Sequence, residues 1–482
     1  MLAFTDEEII EGVLAEFQPI ANIPRPSGHE KAVSDYLKGL FESMGCQVVQ
    51  DASNNIIADM AASAGKENVP LTIMQAHMDM VCVAEEGVEY DKFNDAIKLV
   101  RNGNFLTADG TSLGADDGIG IATIVFVMKN QKEHGPIRAI ITVDEETGMS
   151  GAINLDEKWL KDAKYLLNCD SEDYDLLTVG SAGHLDAGWH GNIQWLDTPK
   201  GEAYTLTVSG LKGGHSGTEI NSGVANAIKV LNHWLGTIDL NNVKFWLADI
   251  NGGKARNVIP SKASATIVAR SSLENLQRIS RTCAKLFAES YGDLEPNAKF
   301  TVTPAAMPAK VFTRGFYNSL ETLILDIPNG AMKMSELNPA LVQTSANLGM
   351  ITTTEDKVEL VYMPRSTVDS DLDVMKGIVE NLADGKNWQA EIEGTSPGWA
   401  ERKDSELAKL MTGIFEKQNN KPMRVATIHA GLECSWHFKK NPDLDMVSIG
   451  TNNKDIHSPA ETLELDTIPP QVQLIAETLA AM

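Results

Sequence analysis

Three apolar segments each run straight into metal-ligand chemistry, and this restricts the folds open to the chain. Leu71-Thr72-Ile73-Met74-Gln75-Ala76 ends in His77-Met78-Asp79. The run from Ile137 to Val143 ends in Asp144-Glu145-Glu146-Thr147-Gly148, and Tyr165-Leu166-Leu167-Asn168 ends just before Asp170. Buried strands that stop in this way belong to open α/β sheets, where ligands bind at the carboxyl ends of the strands. His77, Glu145, Glu146 and Asp170 are therefore expected to converge although they are far apart in sequence. A fourth stretch, Leu113-Gly114-Ala115-Asp116-Asp117-Gly118-Ile119-Gly120, precedes the apolar run Ile121 to Met128. Glycine lets backbone close around a small object, and two carboxylates at the start of a buried helix need a cation or several donors. A metal ion is the simplest such cation.

With 482 residues the chain exceeds what one core usually supports, so two or more domains are expected. Lys plus Arg number 41 against 66 Asp plus Glu, a net charge of −25, which argues against nucleic acid or an anionic membrane as partner. The first residues lack a secretory pattern and no apolar run is long enough to span a bilayer, so the expected location is cytoplasmic. Five scattered cysteines without a Cys-x-x-Cys pair suggest packing, not a disulfide framework or a cysteine zinc site.

Thr5 and Glu8 form a capping-box pattern ahead of a helix with Ile9, Ile10, Val13, Leu14 and Phe17 on one face. A second amphipathic helix carries Val33, Tyr36, Leu37, Leu40, Phe41 and Met44. Composition changes after Ser181-Ala182-Gly183, and Ser396-Pro397-Gly398-Trp399 marks a second boundary. The reading is a catalytic domain in two parts, 1–185 and 396–482, with residues 186–395 as an inserted α+β lid or dimerisation domain. Within the insertion the order of elements repeats, with a first helix at 224–235, but no sequence repeat accompanies it.

Each candidate has a bland reading beside the chemical one. A lone His-x-Asp pair is more often a structural hydrogen bond, yet His77 at a strand end can ligate a metal while Asp79 orients its ring. Acidic runs are usually solvated turns, but after an apolar strand one carboxylate of Glu145-Glu146 can bind metal while its neighbour serves as general base. Asp170 adds a hard oxygen ligand, and His457 can complete a second ion's coordination. Two histidines and three carboxylates suit a pair of zinc-like ions about 3.5–4 Å apart, with Asp116 as the natural bridge. His215, flanked by glycines in Lys212-Gly213-Gly214-His215-Ser216-Gly217, reads by itself as a tight turn with an exposed histidine. Arg256-Asn257 and Arg365 offer donors to a substrate carboxylate or carbonyl, although isolated arginines are usually surface charges. Gly110-Thr111-Ser112-Leu113-Gly114 matches the serine-hydrolase pattern, but Asn102-Gly103-Asn104 interrupts the strand such an elbow needs and the helix starts too late. His29-Glu30 is not a zincin motif, because Val33 stands where the second histidine belongs.

The combination of His77-x-Asp79, Gly114-Ala-Asp116-Asp-Gly118, Asp144-Glu145-Glu146-Thr-Gly148, Asn168-Cys-Asp170, Gly213-Gly-His215-Ser-Gly217 and Ile456-His457-Ser-Pro resembles the two-zinc aminopeptidase/carboxypeptidase family that includes carnosinases, aminoacylases and glutamate carboxypeptidases. Gln75-Ala-His-Met-Asp-Met-Val81, Gly210-Leu-Lys-Gly-Gly-His-Ser216, Ile428-His-Ala-Gly-Leu-Glu-Cys434 and Asp445-Met-Val-Ser-Ile-Gly450 spread the likeness over nearly the whole chain. The resemblance implies a mixed-sheet α/β dizinc peptidase domain with an inserted α+β lid, and a homodimer. It implies His77 and Asp170 on one zinc, Glu146 and His457 on the other, and Asp116 bridging. Asp79 would orient His77, and Glu145 would be the general base that takes a proton from the bridging water and passes it to the leaving amine. His215, from this chain or a partner subunit, would stabilise the oxyanion, while Asn257 and Arg365 would hold substrate backbone or carboxylate. The implied activity is hydrolysis of unblocked dipeptides, including β-alanyl-histidine and others ending in histidine. An N-acyl amino acid amidohydrolase of the same architecture is the alternative, and an inactive metal-binding protein is a third reading. Ligand types do not separate zinc from cobalt or manganese.

Overall fold

Four parallel strands form the centre of an eight-stranded sheet, and their carboxyl ends share one edge. In spatial order they are Ile137–Thr142, Leu71–His77, Ala163–Ser171 and Asp445–Gly450. Gln47–Gln50 and Ile56–Met60 extend the sheet on one side by antiparallel pairing, and Leu176–Ser181 and Arg424–Ile428 on the other. The central strands are buried along almost their whole length, which explains their continuous apolar runs. Register sets His77 opposite Thr142 and Gln75 opposite Asn168.

Helix Ala115–Asn130 packs on this sheet and is buried on nearly every side from Ala115 to Met128. Its all-apolar surface is satisfied because helices Asp6–Ala21 and Ile468–Ala481 cover it. The capping box at Thr5 is formed, with Glu8 Oε2 accepting from Thr5 N at 2.7 Å.

This computed structural model describes residues 2–383 and 387–482; Met1 and residues 384–386, which the ranges above include, lie outside them. The chain divides into two units. The first comprises Met1–Ser181, Trp399–Thr427 and Leu432–Met482; the second comprises Ala182–Gly398 and Ile428–Gly431. Among the described residues of the second unit, nine strands form one sheet. Lys299–Pro304, Glu202–Ser209, Ala263–Ala269 and Phe245–Gly253 make one half; Val342–Thr353, Lys357–Ser366, Gly183–Asn192 and Gln389–Ser396 make the other, with Gly330–Met334 also paired to Val342–Thr353. The halves join where Gly252 and Gly253 pair with Ile351 and Met350. No described helix is long and apolar enough to cross a membrane.

Several local expectations differ from the structure. The short segment carrying His429 clusters with the second unit, whereas the sequence reading put it in the first domain. Ala182 N donates to Ile428 O at 3.0 Å, and Ser345 Oγ lies 2.7 Å from His429 Nε2, contacts that sequence cannot display. The strand expected to stop before Asp170 continues to Ser171, which pairs with Gly450. The helix expected from 224 begins at Ala227, because Asn226 caps it by accepting from Ile228 N at 3.0 Å. Asn102-Gly103-Asn104, read as a break, is the tight turn of a hairpin joining Leu99–Asn102 to Phe105–Ala108, with Gly103 at φ +61°.

Candidate metal centre

The donors meet at the shared edge of the parallel strands. His77 closes Leu71–His77, and Asp170 lies near the end of Ala163–Ser171. After Ile137–Thr142 the chain turns through Asp144 in the left-handed region (φ +57°) into the short helix that begins with Glu145 and Glu146. Short polar side chains such as aspartate tolerate that conformation. His457 belongs to the loop between the paired strands Asn453–Lys454 and Thr462–Glu464. Asp116 opens the buried helix behind Gly114, whose φ of +68° suits glycine. The Asp116–Asp117 peptide is cis.

Two triads of donors share Asp116, His77 with Asp116 and Asp170 and Asp116 with Glu146 and His457, and a third group joins His77 to Glu145 and Glu146. His77 Nε2 lies 3.0 Å from Asp116 Oδ1 and 3.4 Å from Asp170 Oδ1. His457 Nε2 lies 3.1 Å from Asp116 Oδ2 and 2.8 Å from Glu146 Oε2. Each Asp116 oxygen thus faces a different imidazole. A tetrahedron with metal–ligand bonds near 2.0 Å has edges of about 3.3 Å, so these separations fit a cation at the centre of each triad. Glu146 Oε1 is buried with no partner.

Charge balance points the same way. Burial, with Asp116 and Glu146 nearby and His77 opposing, pushes the Asp170 carboxyl up to about 7. Burial also holds Glu145 well above the usual carboxylate range. His77, which burial would otherwise discharge, is held well above its ordinary value by Asp170, Asp116 and Asp79, and Asp116 and Glu146 push His457 up to about 10. The site thus carries an excess of buried negative charge, which cations would offset. Two divalent ions fit the donor set.

Asp79, fully buried, holds both sides of the site. Its Oδ1 sits 3.3 Å from His77 Nδ1 and accepts from Glu145 N at 3.0 Å; its Oδ2 accepts from Ser27 Oγ at 2.8 Å and Glu146 N at 3.2 Å. Two supporting residues, Arg25 and Glu461, escaped the sequence reading, and a third, Asp117, was read there only as half of an acidic pair. Arg25, buried, donates to Met78 O at 2.9 Å, to Asp79 O at 2.7 Å and to Gly114 O. Glu461 accepts from the N–H groups of Leu113, Gly114, Ala115 and Asp116 at 2.8, 2.9, 2.9 and 3.3 Å. Asp117 Oδ2 accepts from His77 N at 3.2 Å. The one available signal was the acidic Asp116-Asp117 pair itself; nothing local marks Arg25 or Glu461. Ser112 of the serine-hydrolase pattern is buried and donates to Val81 O at 2.7 Å, a structural role.

The remaining candidates belong to the second unit. His215 is partly buried, and its Nδ1 accepts from Gly217 N and Thr218 N, each at 3.3 Å, which places the proton of the neutral ring on Nε2. Burial and Arg365 hold its pKa below the ordinary value. Arg365 is buried, donates to His429 O at 3.5 Å, and has no carboxylate within ion-pair distance among the described residues. The Asn257 side chain is exposed, while its carbonyl accepts from Ser216 N at 2.8 Å. Arg256 is instead committed to Asp186 at 2.9 Å and Glu393 at 2.7 Å.

An α/β sheet with paired donor triads at its carboxyl edge is the framework of a hydrolytic peptidase, and the chain belongs to peptidase family M20/M25/M40, whose model matches residues 73–481. It is 34% identical over 466 residues to the cytosol non-specific dipeptidase of Escherichia coli (strain K12), with 96% of each chain covered. The crystal structure of aminoacylhistidine dipeptidase from Vibrio alginolyticus matches with a TM-score of 0.93 at 33% identity, covering 100% of this chain and 97% of that one. Aminopeptidase PepT from Bacillus cereus shares the fold, with a TM-score of 0.55 at 16% identity and 98% of each chain covered.

Proposed function

We propose that the protein is a two-metal dipeptidase that cleaves unblocked dipeptides, those ending in histidine among them, with zinc as the working ion. The observation that carries this reading is Asp116, whose two oxygens face His77 and His457 at 3.0 and 3.1 Å beside a Glu145 tethered to Asp79. The names of the two relatives above, a non-specific dipeptidase and an aminoacylhistidine dipeptidase, support the choice of substrate.

In this reading His77 and Asp170 would hold one ion and Glu146 and His457 the other, with Asp116 contributing to both. Two divalent ions bound there would supply Lewis-acid polarisation and lower the pKa of a water. Glu145 is the general base: its carboxylate takes the proton of the attacking water and delivers it to the leaving amine. Asp79 orients the His77 ring and, through two backbone N–H groups, the Glu145-Glu146 turn. On the family resemblance His215, from this chain or from a partner subunit, would donate from Nε2 to the developing oxyanion, and the Arg365 guanidinium and Asn257 amide would bind substrate carboxylate and backbone. We place the enzyme in the cytosol, after the name of the Escherichia coli relative, and as a homodimer on family resemblance; sedimentation at micromolar concentration tests the latter.

The deciding experiment follows histidine release from alanyl-histidine and β-alanyl-histidine by chelator-treated protein with and without zinc. Zinc-restored release is expected. Hydrolysis of N-acetyl amino acids with none of free dipeptides would replace this reading by an amidohydrolase.

A further inference from the structure

Of the buried carboxyl groups outside the set assigned above, one is fully buried. Glu433, in the segment Leu432-Glu433-Cys434, is fully buried, and its Oε2 accepts from Gln75 Nε2 and Thr142 Oγ1, each at 2.6 Å. From there a continuous line of hydrogen bonds crosses the central strands. Asn168 Nδ2 donates to Gln75 Oε1 at 2.6 Å, and Asn168 Oδ1 accepts from Ser448 Oγ and, at 3.3 Å, from the backbone N–H of Asp170. Gln75, Thr142, Asn168 and Ser448 are all fully buried, and Gln75, Asn168 and Ser448 sit in register on neighbouring strands.

The direction of this line is set from both ends. A backbone N–H can only donate, so Asp170 N requires the Asn168 oxygen on its side. Asn168 must then present its NH2 to Gln75, and Gln75 must present its own NH2 outward, towards an acceptor. Glu433 is that acceptor. A polar row of this kind stabilises the fold little compared with an apolar replacement. What it does supply is a unique setting of the strand end from which Asp170 projects, two residues along from Asn168, and of the strand end two residues along from Gln75, where His77 projects.

We propose that Glu433 is a positioning residue for one of the two ion sites, the one formed by His77, Asp170 and Asp116, acting through Gln75 and Asn168. The inference rests on the two-ion reading above. No bond of the row reaches Glu146 or His457, so the second site does not depend on it. Burial pushes the Glu433 carboxyl up to about 8. A neutral acid with one accepting oxygen is what glutamine reproduces, so Glu433→Gln retains the function and Glu433→Ala removes it.

The test titrates chelator-stripped wild-type protein, Glu433→Gln, Glu433→Ala and Gln75→Met with Zn2+ against a chromophoric chelator. Wild type and Glu433→Gln are expected to bind two ions alike. Glu433→Ala is expected to lose about 10–100-fold in affinity at one site with the other unchanged, the usual consequence of removing an outer partner of a ligand. Gln75→Met, which cuts the same line with an apolar side chain, is expected to do the same and serves if Glu433→Ala does not fold. Two unchanged affinities in Glu433→Ala and Gln75→Met, equal loss at both sites, or a loss in Glu433→Gln would each overturn the proposal. A wild-type protein that binds fewer than two ions would instead overturn the two-ion reading itself.

Discussion

Glu461 offers a quantitative handle on how the Asp116 turn is held. Its side chain is 2% exposed, and its two oxygens accept four backbone N–H bonds, one pair from Leu113 and Gly114 and the other from Ala115 and Asp116. In Glu461→Gln the amide nitrogen must replace one oxygen, so two of the four N–H groups meet a donor. A hydrogen bond to a charged group contributes about 1.5–3 kcal/mol, which puts the loss of two at about 3–6 kcal/mol before the turn relaxes. Relaxation trims this towards the lower end, and about 3 kcal/mol corresponds to roughly 100-fold in the local opening equilibrium. Amide hydrogen exchange on the metal-free protein reads this directly. Protection of the Leu113, Gly114, Ala115 and Asp116 amides should fall about 100-fold, while amides of the strand Ala263–Ala269 in the second unit stay unchanged. Because Asp116 is shared, zinc affinity should fall at both sites, in contrast to the one-site loss expected for Glu433→Ala. Unaltered protection at those four amides would show that the carboxylate does not hold the turn, and the reasoning would fail.

Glu145→Gln should lower kcat by about 10²–10⁴ with both ions still bound; a wild-type rate would remove Glu145 as general base. His215→Ala should cost about 10²–10³ in kcat without changing zinc content or affinity, and an unchanged rate would return His215 to the role of a turn residue. His429 gives a stability test. Burial, with Arg365 and His215 nearby, pushes its ring down to about 4. Below about pH 6.5 the unfolded chain takes up a proton that the folded one refuses, so stability falls as pH drops from 6.5 to 4, by about 3 kcal/mol at most. Urea unfolding of His429→Gln should show a flatter dependence in that window, and a slope equal to wild type would refute the assignment.

Local pattern carries much of the fold. The Thr5–Glu8 capping box, the apolar strands 71–77 and 137–142, and the all-apolar helix behind Asp116 follow from residue order, because helix capping and burial periodicity act over a few residues. Short-range ambiguity accounts for what was displaced. Asn102-Gly103-Asn104 punctuates a chain equally well as a break or as a hairpin turn, and only pairing of Asn102 with Phe105 decides between them. The helix Ile468–Ala481 carries Pro469 and Pro470 in its first turn, and Thr467 makes no side-chain cap bond, so its hold on the fold comes from the core it covers.

The site shows the same division. Residue order by itself marked side chains capable of ligating a metal and placed His77, Glu145, Glu146 and Asp170 at or just beyond the ends of apolar strands. It also showed that an acidic pair stands at the start of an apolar helix. Tertiary structure alone decided that the two oxygens of Asp116 face different histidines, and that Asp79 grips both His77 and the Glu145-Glu146 turn. It alone tied Glu461 to a turn 348 residues earlier and Glu433 to Gln75, 358 residues earlier. A buried polar group must find a partner, but sequence does not say which, because the partner is chosen by strand order and register in space and not by distance along the chain.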